Sequence, residues 1–279
     1  MQVCVRAHDL EVKGLKHIIS ALRSVGADGA QLVGWKSFED VENAPAGITP
    51  QRALEIGAAF RKAGLTIGLI GAYFNPVHSD SEKVGNGVRV FCDYLAMSGL
   101  MGCSVVGSET GSYSDEPWVY HPGNRTEEAL GRIVEDFRGL CDFAATHQAI
   151  VGIEGASGHV CYDIETLNRA SRMISRDNLR IIFDLYNFLD NGNCRDYLSI
   201  LTEGLTAFAG RIHCFHIKDC IFTKNGIKQC AVGKGDLGFG SIMAMIKSYD
   251  KDAILVLEGM KSSDLKQSIR FIRDMWKAA

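Results

Sequence analysis

Short aliphatic runs alternate with amphipathic stretches along the whole chain, eight times over, and this alternation restricts the fold more than any other feature. The strand-like runs are VCVRA at 3–7, AQLVGW at 30–35, TIGLIGAY at 66–73 and CSVVG at 103–107, then IVGIE at 150–154, RIIFD at 180–184, RIHCFH at 211–216 and AILVLE at 253–258. Between them, apolar residues recur three and four positions apart, as at 15–25, 53–64 and 127–147, with a last helix near 264–277. That spacing gathers them on one helical face. Gly26, Gly64 and Gly99 each follow a helical run, as a C-terminal cap glycine does.

Strand–helix alternation builds a parallel sheet covered by helices. No Pro- or Ser-rich linker divides the 279 residues, so residues 1–279 are expected to form a single α/β domain. Eight units fit a closed (β/α)8 TIM barrel; a doubly wound open sheet is the alternative that counting strands leaves standing. In a barrel, chemistry gathers at the rim where strands end.

Four consecutive strand ends are polar: Glu154, Asp184, His216 and Glu258. Each closes an apolar run, and in a barrel these ends are neighbours. Because residues two apart share a strand face, Ile212, Cys214 and His216 should point together into the mouth. His213 should then lie against the helical layer. Three carboxylates crowded with an imidazole would repel one another unless a cation joined them. Oxygen donors plus one nitrogen suit a single divalent metal, Mn2+ foremost, with Mg2+, Co2+ or Zn2+ as alternatives. Four unrelated capping or ion-paired residues is the competing interpretation.

The bulk composition excludes several classes. A net charge of −3 offers no basic surface for nucleic acid, and no run of about 18 apolar residues suggests a membrane span. Nine cysteines, an odd number without CxxC spacing, read as reduced thiols in a cytoplasmic protein.

The segments GIEGASGH, IIFDLYN, CFHIKD, GKGDLGFGSI and LVLEG occur in the order and approximate spacing of the xylose isomerase-like TIM barrels, which the chain resembles. That superfamily includes ketose 3-epimerases, hydroxypyruvate isomerase, inosose isomerase and dehydratase, and endonuclease IV. The resemblance implies that Glu154, Asp184, His216 and Glu258 bind one divalent metal. It also implies that Glu154 and Glu258 form the proton-transferring pair of a sugar isomerase or epimerase working through a metal-stabilised enediolate. An inosose-type dehydratase on the same site is the near alternative, and a non-catalytic sugar-binding barrel the further one. The partner implied is a small sugar or polyol, and the assembly a homodimer or homotetramer. Where epimerases carry a substrate-binding histidine three residues after the aspartate, this chain has Asn187.

Other residues near strand ends complete the expected pocket. Lys218 can neutralise substrate charge, and Asp219 can orient His216 or cap its loop. Glu109, in phase with Val105 and Gly107, should face the mouth. His8, Trp35, Asn75 and His159 are further substrate-contact candidates, Trp35 as an apolar wall. GKGDLG at 233–238 matches a dinucleotide fingerprint only in letters, since it follows the seventh strand rather than the first. It is expected to be a flexible turn over the pocket, and 108–123 and 217–238 partial lids.

Overall fold

A computed structural model of the protein describes residues 1–116, 119–224 and 226–279. Eight parallel strands close into a barrel: β1 (Gln2–Arg6), β2 (Gly29–Leu32), β3 (Thr66–Gly71), β4 (Val105–Glu109), β5 (Ile150–Glu154), β6 (Leu179–Asp184), β7 (Ile212–Ile217) and β10 (Ile254–Leu257). The ring runs β1-β10-β7-β6-β5-β4-β3-β2, so the open-sheet alternative is excluded. Helices α1 (Leu15–Val25), α3 (Pro50–Ala63), α4 (Ser81–Met101), α5 (Glu127–Thr146), α6 (Ile164–Ile174), α7 (Tyr197–Ala207), α8 (Phe239–Tyr249) and α9 (Ser262–Ala278) separate or follow the strands.

Local chemistry sets the helix ends. The side chains of Thr49, Asp80, Thr126 and Asp163 accept hydrogen bonds from first-turn amides of α3, α4, α5 and α6, satisfying donors that a helix start leaves bare. Gly26 and Gly64 cap α1 and α3 in the left-handed conformation. Gly99 instead lies inside α4, which runs on to a left-handed cap at Gly102. The second strand also ends earlier than its hydrophobicity suggests: the chain turns at Val33 into a short helix, α2 (Gly34–Ser37).

The large core lies between sheet and helices, while Cys4, Leu69, Val105, Ile182, Cys214 and Val256 fill the barrel itself. Ile182 can occupy that floor because its neighbour is Gly107, where an added methyl would overlap the Ile182 Cδ1. Strict alternation fails at two places. The pairing of β2 with β3 skips Gly68, and that of β6 with β7 skips His213. His213 is therefore not turned to the helical layer. As the extra residue of a bulge, its ring reaches across the barrel to the Gly68 carbonyl at 2.7 Å, while Ile212 packs with the outer core. A bulge re-aims a side chain in this way.

Residues 217–238 are more ordered than a plain loop. They contain a hairpin of β8 (Asp219–Thr223) and β9 (Gly226–Cys230), and Gln229 Nε2 ties it to the Glu258 and Gly259 carbonyls at 3.3 and 3.0 Å. The Asp219 carboxylate accepts from the amides of Cys220, Gly233 and Gly235, so the glycine-rich turn is tied down rather than free. Part of 108–123 lies outside the described residues.

Candidate metal centre

Strand geometry brings the polar ends together as residues rather than as a motif. Glu154 and Asp184 end β5 and β6, and Asp184 sits beside His216 in the β6–β7 register. Glu258 follows β10 directly, two residues past Val256, the β10 partner of His216. Exposure is 1% at Glu154, 0% at Asp184, 3% at His216 and 5% at Glu258, so each charge needs a partner.

The donors of Glu154, Asp184 and His216 lie within 4.8 Å of one another. His216 Nδ1 is 3.1 Å from Glu154 Oε1, 3.5 Å from Glu258 Oε2 and 3.9 Å from Asp184 Oδ2. Glu154 Oε2 and His216 Nε2 are buried with no hydrogen-bond partner among the described residues. Buried orphan polar atoms are costly, and two open donors beside the Asp184 carboxylate fit a divalent ion. Glu258 adjoins that triad through His216 but is drawn toward the cations on its other side. Its carboxylate engages Lys218 Nζ at 2.5 Å and Arg6 Nη1 at 3.6 Å.

Lys218 occupies the centre of the remaining charge. Its ammonium lies 2.7 Å from Asp184 Oδ2 and donates to Asn187 Oδ1 at 2.9 Å. The Asn187 amide in turn donates to Glu154 Oε1 at 2.8 Å, leaving the other glutamate oxygen to a ligand. Burial pushes the Asp184 carboxyl up to about 6, although Lys218 opposes it. Burial works the same way on Glu258, but Lys218, His216 and Arg6 outweigh it and hold that carboxyl well below the usual range. The two carboxylates share Lys218 and His216 yet shift in opposite directions, because Glu258 also has Arg6 beside it while Asp184 is raised further by the fields of Glu258 and Glu154. Burial disfavours charge on His216, but Glu154 and Glu258 override it and raise the ring to about 9.

The surrounding mouth comprises three adjoining cavities of about 350, 230 and 330 Å³, all touching Tyr73. Glu109 lines two of them, and enclosure together with the field of Glu154 and Glu258 pushes its carboxyl to about 8. His8 and Lys218 line the first cavity and His159 the second; Asn75 lines the second and third. The Asn75 side chain also bonds Ser112 at both its backbone groups and the Val77 amide, tying the loops after β3 and β4. Trp35 does not line these cavities; it is half-buried with its ring 6.4 Å from that of Tyr94.

Arg6, Gln31, Tyr73, Lys36 and Gln229 were not foreseen. Arg6 ends β1, so the strand-end criterion that picked out Glu154 would have found it. Gln31 Nε2 donates to the Tyr73 hydroxyl at 2.5 Å, a pairing between separate strand units that no local pattern encodes.

A family model described as a xylose isomerase-like TIM barrel matches residues 19–275. No curated protein matches in sequence. Among solved structures, a xylose isomerase domain protein from Planctomyces limnophilus is 17% identical, covering 99% of this chain and 95% of its own, at a TM-score of 0.73. An IOLI protein with a bound zinc atom is 14% identical over 99% and 96% of the two chains, TM-score 0.75. A D-psicose 3-epimerase studied with D-fructose is 12% identical over 100% of both, TM-score 0.74.

Proposed function

Because the chain belongs to the xylose isomerase-like TIM barrel family, we propose that it is a divalent-cation-dependent isomerase or epimerase of a hydroxy-carbonyl sugar or polyol. The observation that carries this reading is the buried triad of Glu154, Asp184 and His216, with Glu154 Oε2 and His216 Nε2 left open. The D-psicose 3-epimerase and the zinc-binding relative of the same fold favour it. A bound cation would supply Lewis acidity to a carbonyl and its neighbouring hydroxyl, lowering the cost of removing the carbon-bound proton between them.

The protein's own groups have separate tasks in this reading. Glu154 and Glu258 stand on β5 and after β10, three strand steps apart around the ring, and so approach a substrate from different sides. Glu258, kept ionised by Lys218 and Arg6, is suited to accept a proton. Asn187 holds one oxygen of Glu154 and the Lys218 ammonium at once, orienting acid and cation together. Return of the proton to the opposite face gives an epimer, and return to the adjacent carbon gives an aldose–ketose isomer.

Dehydration is the second reading, favoured by one observation: Glu109, near 8, carries a proton at neutral pH and so can give it to a departing hydroxyl. Elemental analysis followed by incubation of the Mn2+-loaded protein with ketoses in D2O tests both. Deuterium at a carbon next to the carbonyl with conserved mass otherwise supports isomerisation. Loss of water with a new ultraviolet absorbance supports the lyase. A protein that neither holds nor takes up metal ends both and leaves a sugar-binding barrel.

A further inference from the structure

The cavity beside Glu258, about 350 Å³, is electrostatically lopsided. Its β1–β2 side carries Arg6 at the end of β1, His8 in the following turn and Lys36 on α2. Glu109 also lines this cavity, while the acids beside Arg6 already have partners. Asp9 holds the Arg6 guanidinium through contacts of 2.9 and 3.1 Å, and Glu258 lies between Lys218 and Arg6. Lys36 is exposed and makes no ion pair among the described residues. His8 reports the resulting field. Burial lowers its proton affinity most, Arg6 and Lys36 lower it further, and together they outweigh the pull of Glu258, leaving the ring near 3. It is therefore an uncharged imidazole at neutral pH, able to donate a hydrogen bond without adding charge.

We propose that this side of the mouth receives an anionic group of the substrate, a carboxylate or phosphate, with Lys36 as its charge partner and His8 and Arg6 beside it. The substrate class is then a sugar acid or sugar phosphate rather than a neutral sugar. The assignment rests on the sugar-directed reading above for the rest of the ligand, but not for the anion site itself. The early end of β2 creates this arrangement: the turn into α2 packs Trp35 against Tyr94 and puts Lys36 at the cavity.

Calorimetric titration of the Mn2+-loaded full chain with glycerol, glycerate and glycerol 3-phosphate tests it. These probes share a hydroxylated backbone and differ in the terminal group. At least one anion binds about tenfold or more tightly than glycerol, the ~1.4 kcal/mol equivalent of a factor of ten, and the stronger arm separates carboxylate from phosphate. Lys36→Met brings that preference within about threefold while leaving glycerol unchanged, and Lys36→Glu removes it. Chelation of the ion by glycerate would persist in both variants, so a preference that survives them overturns the proposal. So does the absence of any anion preference, including no measurable binding. Deuterium exchange is read separately: its failure alongside a Lys36-dependent preference counts against the isomerase reading alone.

Discussion

Replacing Lys218 with methionine keeps most of the side chain's bulk and removes only the ammonium. In the metal-free protein that leaves Asp184, Glu154 and Glu258 around one imidazole, with 6% or less of the Lys218, Asp184 and Glu258 side chains exposed. Removing one partner of a buried ion pair costs about 3–5 kcal/mol, and Lys218 has two carboxylate partners, at 2.7 and 2.5 Å. Asp184 can relieve part of this by taking a proton, since burial already raises it to about 6. The penalty should therefore be near the full ~3–5 kcal/mol at pH 8 and clearly smaller at pH 5.5. A divalent ion supplies positive charge to the same carboxylates, so saturating Mn2+ should narrow the gap between variant and parent. Urea unfolding in chelator and in Mn2+, at both pH values, measures all three effects. A loss below about 1 kcal/mol at pH 8 in chelator would refute the assigned role of Lys218, and a gap that Mn2+ leaves unchanged would refute the placement of the ion.

Further outcomes are expected. His216→Ala should reduce Mn2+ affinity by at least about tenfold, as read by elemental analysis after dialysis, and should also lower metal-free stability near neutral pH, where the protonated ring faces Glu154 and Glu258. The His216 ring stays protonated to about 9 without a cation, and only the neutral ring can ligate. Mn2+ binding at pH 7 should thus release close to one proton, and affinity should rise up to about tenfold per pH unit until about 9; calorimetry in buffers of different ionisation enthalpy detects the proton. The same raised value means that His216 stabilises the metal-free fold fully below about 6.5 and loses that contribution as pH rises through about 9. Gly107→Ala, which drives a methyl into Ile182, should cost about 1–3 kcal/mol, seen as a lower urea midpoint.

The barrel was legible because alternation of strand and helix is written in local periodicity, and so were polar strand ends at Glu154, Asp184 and His216. What local pattern could not carry was parity. His213 and Ile212 were assigned faces by counting in twos, and an unpaired extra residue broke the count. The same limit hid Lys36: AQLVGW is apolar from Leu32 to Trp35, so nothing in it marks the turn after Leu32 that exchanges Trp35 for Lys36 at the cavity. Tyr73 and Gln31 meet only because β2 and β3 are adjacent. The Asn187 contacts with Glu154 and Lys218 likewise span separate strand units, and a residue read alone gives no sign that it links two others.

The paired bulges at Gly68 and His213 have a consequence for how this barrel tolerates change in length. Ile212 faces outward and Cys214 inward, the phase an uninterrupted strand would have if residue 213 were missing. A chain shortened by that one residue would therefore keep His216 aimed at its carboxylates and forfeit only the strut to the Gly68 carbonyl on the opposite wall. The polar rim and the apolar floor beneath it are, at this position, separable parts of the strand.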